Sequence, residues 1–297
     1  MKQPGSLLRH MPVWGQDEVL LCREHIFSTV QEAEVRQKFS VWGGIPRFVL
    51  QFTDMEHQRL LDKAVKDCSI TDLATCMQDI SKATKASHRL LHMSVDADYL
   101  EGPVVFASAW VRDSLIQAYL QGQQQQVRAF MEASGGEPLM ASFRGKLWEQ
   151  HAFRRLQGGG KFLCRDLCDV DKEPFLIDLE EYTSSPGVWD SHDIAELADG
   201  VFGWCKNKVF PAIDVAVQPD KLFQVTVSGD HRIDVRGLVD AVRAMRAPVE
   251  QVRLYFVVTP DVFSRYSKQT LKRNRGYLEA AHLARSVSQY VLKLDFV

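Results

Sequence analysis

KVFPAIDVAVQPDKLFQVTV, residues Lys208–Val227, contains two short runs in which apolar and polar or small residues alternate. Alternation with period two, carried by β-branched and aromatic side chains, is typical of β-strands. Between the runs lies Gln218–Asp220, whose proline and aspartate favour a turn. The stretch therefore predicts a β-hairpin with Asp214 in its first strand and Gln224 and Thr226 in its second.

Asp214 is the residue of this hairpin that indicates chemistry. A lone carboxylate in an apolar strand is costly to bury unless it is paired or binds a metal ion. The second strand is expected to bring Gln224 and Thr226 alongside it, and oxygen ligands of this kind can hold Mg²⁺ against a phosphate. Restriction-endonuclease-type nucleases build their metal site from an acid on one strand and polar groups on its hairpin partner. A structural interpretation stays open, in which Asp214 lies at a sheet edge and accepts backbone hydrogen bonds.

Composition is that of a globular protein without a strong electrostatic preference. The chain has 297 residues, enough for one large or two ordinary domains, with 45% hydrophobic and 25% charged residues. The net charge of −2 gives no overall attraction to nucleic acid, so any basic surface must be local. No apolar run approaches the length of a membrane span, and the first residues lack the apolar core of a signal peptide. We therefore expect an intracellular protein that makes no membrane contact.

The cysteines give the same indication. They form no CxxC pair, and Cys164 and Cys168 lack the nearby histidine pair that a zinc site would need. Scattered free thiols suggest a reducing compartment, and they are Cys22, Cys68, Cys76, Cys164, Cys168 and Cys205.

Apolar spacing in the first part of the chain predicts mostly helices, near residues 12–40, 54–93 and 110–130. His88 and His92 would then lie one turn apart on a helix face. That spacing can bind metal, but no acidic third ligand is nearby, so we interpret both histidines as structural.

A Ser-Gly-Gly-Glu-Pro stretch at 134–138 predicts a domain boundary, which divides the chain into 1–136 and 137–297. The phosphate-loop pattern GxxxxGK[ST] occurs nowhere in the sequence, so this chain alone is not expected to bind ATP.

The second part predicts an α/β core with a mixed sheet. Its first helix, Leu139–Gln157, carries Glu149 beside the buried stripe. Glu149 is either an ordinary helix glutamate near Arg154 and Arg155 or a third carboxylate of a metal site. Strands are predicted at 161–167, 175–179, 252–258 and 290–296, and helices at 194–204 and 234–245.

A basic run follows the strand at 252–258. Such a run either contacts phosphate or forms the solvated face of a helix. It lies within Thr259–Gly276 and includes Arg265, Lys268, Lys272, Arg273 and Arg275.

Four motifs, in order, resemble those of the Crinkler and retrotransposon-hot-spot effector proteins. FSVWGGIPRFVL (Phe39–Leu50) resembles the GGIPR-type motif near the end of their P-loop ATPase module. GKLWEQHAFRRLQGGGKFLCRDL (Gly145–Leu167) resembles the first helix and strand of their restriction-endonuclease-like domain, and FPAIDVAVQPDKLFQVTVSGDH (Phe210–His231) its central hairpin. LYFVVTPDVFSRY (Leu254–Tyr266) resembles the strand that follows. The resemblance covers nearly the whole chain.

The resemblance implies a restriction-endonuclease-like (PD-(D/E)XK-type) core at 137–297, preceded by a helical remnant of a P-loop NTPase at 1–136. It implies a nuclease that cuts DNA, expected to be double-stranded, with Mg²⁺ or Mn²⁺ as cofactor. By this resemblance Asp214, Glu149 and Gln224 are the metal ligands, and Thr226 completes the catalytic set. His231 and the cations Lys268, Lys272, Arg273 and Arg275 would hold the DNA backbone. An effector of this kind is expected in the nucleus of a host, where a nuclear protein is a further potential partner.

Two departures from the family pattern leave an alternative open. The phosphate-binding front of the ATPase is missing, and Gln224-Val225-Thr226 replaces the acid and lysine of better-known nucleases. Glutamine can ligate a metal through its carbonyl oxygen but carries no charge. Lys161, Lys208 and Lys221 are equal candidates for the assisting lysine. The alternative is a catalytically degraded effector module that binds DNA or a host protein without cleaving.

Overall fold

The computed structural model describes residues 9–78, 87–122, 124–132, 138–169, 171–185, 187–206, 212–272 and 281–296. The chain divides into two compact units, Met1–Leu147 and Trp148–Val297. The division falls within one long helix, Pro138–Gln157. A boundary at 136/137 remains a prediction, because residues 133–137 lie outside the described part.

In the residues that the structure describes, the first unit is mostly helical and contains one antiparallel strand pair. Its helices are α1 (Gln16–Ile26), α2 (Glu32–Trp42), α3 (Met55–Asp67), α4 (Ile70–Gln78), α5 (Ser87–Leu90), α6 (Ala109–Gly122) and α7 (Gln124–Glu132), with a π-helical turn at Arg47–Gln51. Its strands are β1 (Leu91–Val95) and β2 (Glu101–Phe106).

The strand β1 corrects one prediction. The segment around residues 88–93 is not a single helix, because α5 ends at Leu90 and β1 pairs with β2 from Leu91 onward. His88 and His92 therefore do not share a helix face. Pairing with a distant strand has overridden the local helical pattern.

The GGIPR-type motif has a clear conformational reason for its first glycine. Gly43 ends α2 with φ +66°, a conformation that few side chains adopt. A Cβ at this position would also lie 2.1 Å from the carbonyl oxygen of Ala107. The close packing of this corner against the end of β2 therefore requires glycine.

The second unit is an α/β structure built on one mixed sheet, as predicted. Its strands are β3 (Gly160–Asp166), β4 (Phe175–Leu179), β5 (Thr183–Ser184), β6 (Val201–Trp204), β7 (Val215–Val217), β8 (Lys221–Val225), β9 (Ile233–Asp234), β10 (Arg253–Val258), β11 (Leu271–Lys272) and β12 (Ser288–Lys293). Its helices are the end of α8 (Pro138–Gln157), α9 (Ser191–Glu196), α10 (Val235–Ala244), α11 (Pro260–Phe263) and α12 (Ala281–Ser286).

In the described residues, eight strands form the main sheet in the order β4-β3-β12-β10-β8-β7-β6-β5. The three central strands β12, β10 and β8 run parallel, while β6, β7 and β8 form an antiparallel meander. The predicted hairpin is therefore present as β7 and β8. The predicted entry strand β3 does not lie beside this hairpin, since it pairs with β12 and β4.

Helices cover both faces of this sheet. On one face, Leu222, Leu254 and Phe256 pack with buried side chains of α10 and α9 in a single apolar core. On the other face, Phe153 of α8 contacts Phe202 of β6 at 6.0 Å between ring centroids. Burial on both sides explains why the strands are nearly continuous apolar runs.

The structure corrects one further prediction and decides against one alternative that the sequence left open. Residues 194–204 are not one helix, because α9 ends at Glu196 and Val201–Trp204 pairs with β7. For the basic run within Thr259–Gly276, the alternative of a solvated helix face does not hold in the described part, because α11 ends at Phe263 and β11 follows. In both places pairing with another strand decides the structure. Such pairing cannot be read from the local sequence.

Gln218 ties the turn of the hairpin to two helices. Its side-chain amide donates to the carbonyl oxygens of Ile194 (2.7 Å) and Ala244 (2.9 Å), and its Oε1 accepts from the Arg246 amide at 3.0 Å. The side chain is 2% exposed. Three backbone groups therefore depend on one residue, and two of the three hydrogen bonds are buried.

We expect Gln218→Leu to destabilise the protein by about 3 kcal/mol, because it leaves these backbone groups without partners. Urea unfolding measures the loss, with Gln251→Leu as the control because Gln251 is exposed. Equal midpoints for the two variants would contradict the role given to Gln218.

His92 gives the first unit a pH dependence. It is 6% exposed, its Nε2 has no hydrogen-bond partner among the described residues, and burial lowers its pKa to about 4. The unfolded chain therefore takes up a proton near pH 6.5 while the folded chain does not. Stability is full above pH 6.5 and is lost as the pH falls toward 4, by an amount on the order of 3 kcal/mol.

We expect His92→Leu to lose less stability than the wild type between pH 7 and pH 4 in denaturant titrations. The exposed His88 provides the control, and His88→Leu should follow the wild-type curve. Parallel pH curves for wild type and His92→Leu would show that His92 titrates normally.

Candidate functional site

The candidate site lies in the second unit, where the meander β6–β7–β8 ends. Asp214 directly precedes β7, and its backbone is hydrogen-bonded on both sides. Its amide donates to the Phe223 carbonyl at 2.8 Å, and its carbonyl accepts from the Cys205 amide at 2.8 Å. Cys205, which directly follows β6, and Gln224 of β8 are therefore the cross-strand neighbours of Asp214.

The Asp214 carboxylate is held by the second strand of the hairpin. Its Oδ2 accepts from the Gln224 side-chain amide at 2.7 Å and from the Val225 backbone amide at 2.7 Å. Two short hydrogen bonds to one carboxylate oxygen stabilise the charge where it is partly withdrawn from water. The structure thus brings Asp214 and Gln224 together, and the backbone contact of the structural interpretation is also present.

The side-chain amide of Gln224 makes hydrogen bonds through its nitrogen only, as far as the described residues show. Its nitrogen is oriented toward Asp214, and its Oε1 is buried without a hydrogen-bond partner among the described residues. The whole residue is 5% exposed. An unpartnered buried acceptor is costly and calls for an explanation, of which an unfilled ligand position is one.

Thr226 ends this strand. Its amide donates to the Val257 carbonyl at 3.0 Å, and its hydroxyl accepts from the Ser228 amide at 3.0 Å. The hydroxyl therefore stabilises the turn after β8, a use that short hydroxyl side chains often have.

Helix α8 reaches the same strand end through Trp148. The Trp148 indole nitrogen donates to the Val257 carbonyl at 3.4 Å, the same oxygen that accepts from Thr226. Glu149 is the next residue of α8 and is half-buried. The helix that carries Glu149 is thus anchored beside the end of β8.

The residues present fit an oxygen-binding metal ion in the type of their donors. Asp214 supplies a carboxylate, and Gln224 supplies the unpartnered carbonyl oxygen, both of which suit Mg²⁺ or Mn²⁺. Among the described residues, however, no group of three or more His, Cys, Asp or Glu side chains is placed to hold a metal. The set is therefore poorer in charge than a site made of carboxylates alone.

The structure describes three of the five predicted DNA-binding residues. The His231 amide donates to Oε1 of Gln269 at 2.6 Å, and β9 pairs with β11, so His231 lies beside the segment that carries Lys268 and Lys272. Both lysines are exposed. Arg273 and Arg275 lie outside the described residues.

The three candidates for the assisting lysine lie in different parts of the chain. Lys221 begins β8, at the end of the strand away from Gln224, and pairs with Asp220 at 3.0 Å. Lys161 lies at the start of β3, four strands from β7, which is roughly 19 Å at the usual strand spacing. Lys208 lies outside the described residues. Sequence reasoning passed over β6, the immediate neighbour of β7, because its short segment was assigned to a helix.

Comparisons with known proteins identify two relatives. The chain is 25% identical over 284 residues to Crinkler effector protein 15 of Phytophthora infestans, and equally to Crinkler effector protein 16 of the same organism. The similarity supports a Crinkler-like effector family. The matched region is 93% of this chain but 45% of each relative, so the chain spans under half the length of the curated Crinkler proteins that it matches.

Two other comparisons add nothing to this relationship. No protein-family model matches the chain, and no solved structure matches it. Within the described residues, no helix is both long enough and apolar enough to cross a membrane.

The contacts of Asp214 predict a stability effect. We expect Asp214→Ala to cost about 1–3 kcal/mol in EDTA, because the Val225 amide and the Gln224 side chain lose their acceptor. Asp214→Asn should cost less, since its remaining oxygen can still accept from Val225. Thermal and urea unfolding check both values.

A different outcome would show that these hydrogen bonds do not hold the hairpin. That outcome is an Asp214→Ala protein as stable as the wild type without metal, the behaviour expected of a carboxylate that is strained by unpaired burial.

Proposed function

We propose that this Crinkler-like chain is a metal-dependent DNA nuclease whose site lies in the unit Trp148–Val297. The observation that carries the proposal is the pair formed by Asp214 and Gln224, in which one buried amide oxygen beside a carboxylate has no hydrogen-bond partner among the described residues. A hard divalent cation is the ligand that such oxygens select. The resemblance of the hairpin to a restriction-endonuclease-like core supports the same function.

In this proposal Asp214, Gln224 and Glu149 hold Mg²⁺ or Mn²⁺. When bound, the ion supplies polarisation of the scissile phosphate and a lowered pKa for the attacking water. The chain's own contribution is orientation. The Val225 amide and the Gln224 nitrogen fix the Asp214 carboxylate, and Thr226 closes the turn that follows.

Binding of double-stranded DNA would use exposed cations outside the metal site. Lys268 and Lys272 flank Gln269, which accepts from His231, so the three predicted backbone contacts form one local surface. DNA binding needs such a local cluster of cations, because the net charge of −2 provides no general attraction to DNA.

The name of the relatives suggests the setting. We propose an effector that acts in a host cell, in the nucleus where its DNA substrate lies, and a host nuclear protein is a compatible partner. The chain matches under half of each relative, so this setting is inferred for the matched region alone.

A specific observation favours the second candidate, a non-catalytic effector module. Asp214 Oδ2 already accepts two hydrogen bonds, and no cluster of three metal-ligating side chains is found among the described residues. A degraded site would keep these hydrogen bonds for stability and bind DNA or a host protein without cleavage.

Plasmid nicking separates the two functions. With Mg²⁺ or Mn²⁺ we expect cleavage that EDTA abolishes, and we expect Asp214→Asn to reduce the rate by at least about 100-fold, the scale of losing an electrostatic contact to the transition state. Asp178→Asn is the matched control, because Asp178 is an exposed aspartate on the edge strand β4. Glu149→Gln should reduce the rate by a smaller factor.

Two results would exclude the nuclease. One is the absence of metal-dependent nicking by the wild type, and the other is equal nicking by wild type and Asp214→Asn. Stable binding to DNA without cleavage in either metal would then support the non-catalytic module.

A further inference from the structure

A second cluster, formed by Trp189, Trp204 and Lys206, stands at the same end of the sheet as Asp214. The Lys206 ammonium lies 5.1 Å from the ring centroid of Trp204 and 5.2 Å from that of Trp189. A cation that contacts two indole faces is held in place by their quadrupoles. We refer to these three residues as the Trp–Lys–Trp cluster.

The backbone around the cluster fixes its geometry. Val188 and Lys206 are joined by a 2.9 Å hydrogen bond, and Trp204 accepts from the Val188 amide at 2.9 Å. The Trp204 indole nitrogen donates to the Ser185 carbonyl at 3.3 Å, which sets the orientation of the ring. The fold therefore presents the ammonium from a defined position.

Gly187 makes room for the lysine. It adopts φ +110°, and a Cβ there would come within 2.2 Å of Lys206 Cε. The aliphatic part of Lys206 thus crosses the backbone of Gly187 to reach the two rings.

Lys206 differs from Lys172, Lys221 and Lys293, each of which lies within 4 Å of a carboxylate. No ion pair among the described residues includes it, and the adjoining Trp189 ring is 55% exposed. Lys172 makes a similar contact with Phe175, at 5.0 Å, but it also lies 3.9 Å from the Asp166 carboxylate. Lys206 is therefore an oriented cation without a carboxylate partner in the described part of the chain, next to an exposed aromatic face.

The position of the cluster connects it with Asp214. Cys205 lies between Trp204 and Lys206, and its amide donates to the Asp214 carbonyl at 2.8 Å. Because side chains alternate along a strand, Trp204 and Lys206 project from the opposite face to Cys205 and Asp214. A polyanion that passes the end of the sheet would meet Asp214 on one side and Lys206 on the other.

We propose that the Trp–Lys–Trp cluster binds a backbone phosphate of DNA next to the one held at Asp214. This proposal rests on the proposed function. Lys206 supplies the charge, and Trp189 and Trp204 supply its orientation and an aromatic surface for the adjoining sugar and base. The cluster is a substrate-binding contact that positions the DNA, and it does not take part in bond cleavage.

The test measures binding and turnover separately. Fluorescence anisotropy with a short labelled DNA duplex in EDTA gives the affinity at several salt concentrations without cleavage. We expect Lys206→Met to weaken binding and to reduce the slope of log affinity against log salt by about 0.9, the value for one lost phosphate contact. In metal-dependent nicking, the same variant should raise KM and leave kcat unchanged.

Matched variants distinguish a specific contact from a general effect of charge. Lys172→Met removes a lysine with a comparable aromatic contact at the other end of the sheet and should leave the salt slope unchanged. Trp189→Leu should weaken binding, and Trp189→Phe should restore it, because phenylalanine keeps a ring face for the ammonium. Thermal unfolding of all four variants confirms that they are folded.

Each outcome decides one proposal. An unchanged salt slope in Lys206→Met, or equal changes in Lys206→Met and Lys172→Met, would overturn the phosphate contact even if the wild type cuts DNA. A slope that depends on Lys206 in a protein that never cuts DNA would support the contact and exclude the nuclease.

Discussion

The end of the sheet depends on the hydrogen bonds that the Asp214 carboxylate accepts. The carboxylate stands between β6 and β8 at the point where the meander ends, and two hydrogen bonds from Gln224 and Val225 converge on one of its oxygens. Without them a partly desolvated charge would remain uncompensated, which costs several kcal/mol in a protein interior. The two bonds therefore stabilise the hairpin and also orient the acid that stands beside Gln224.

Polar groups at both ends fix the register of this hairpin. Asp214 is bound at one end, and Gln218 makes three hydrogen bonds at the other. Between them the strands carry mainly apolar side chains, which by themselves would tolerate a shift of one residue in pairing. A shift would move each side chain to the opposite face and separate both polar groups from their partners. This constraint makes the cross-strand position of Cys205, and hence that of Lys206, a consequence of the same contacts.

Much of the second unit could be predicted from local pattern, because its long elements have clear periodicity. The hairpin, the helix that carries Glu149 and the buried strand β10 all lie where alternation or apolar spacing indicates. Strands β1 and β6 could not be found in this way. Both are short, and each exists because a distant strand offers it hydrogen bonds. The position of β3 at the far side of β12 is likewise a property of the whole sheet.

The candidate site, too, could be predicted from the sequence only in part. Antiparallel pairing predicts that Gln224 stands beside Asp214, and it does. The direction of the Gln224 amide and the hydrogen bond from Val225 depend on exact backbone placement, which sequence does not reveal. The Trp–Lys–Trp cluster was missed for a related reason, since Trp189 and Trp204 are 15 positions apart and meet only through the bridge between Val188 and Cys205.

The departure from better-known nucleases at position 224 has a physical explanation in these contacts. A glutamate there would place a second carboxylate beside Asp214, and like charges at hydrogen-bond distance raise the pKa of one of them unless a cation is bound. Glutamine instead donates to Asp214 through its nitrogen and keeps its oxygen available. Without a metal ion, the hairpin then carries no like-charge repulsion between positions 214 and 224. Glutamine thus gives the proposed metal site one negative charge fewer than a glutamate would, while its nitrogen donates to the Asp214 carboxylate. The same residue accounts for the stability of the site and for its low charge, so stability measurements on Asp214 variants must be read together with metal-dependent cleavage.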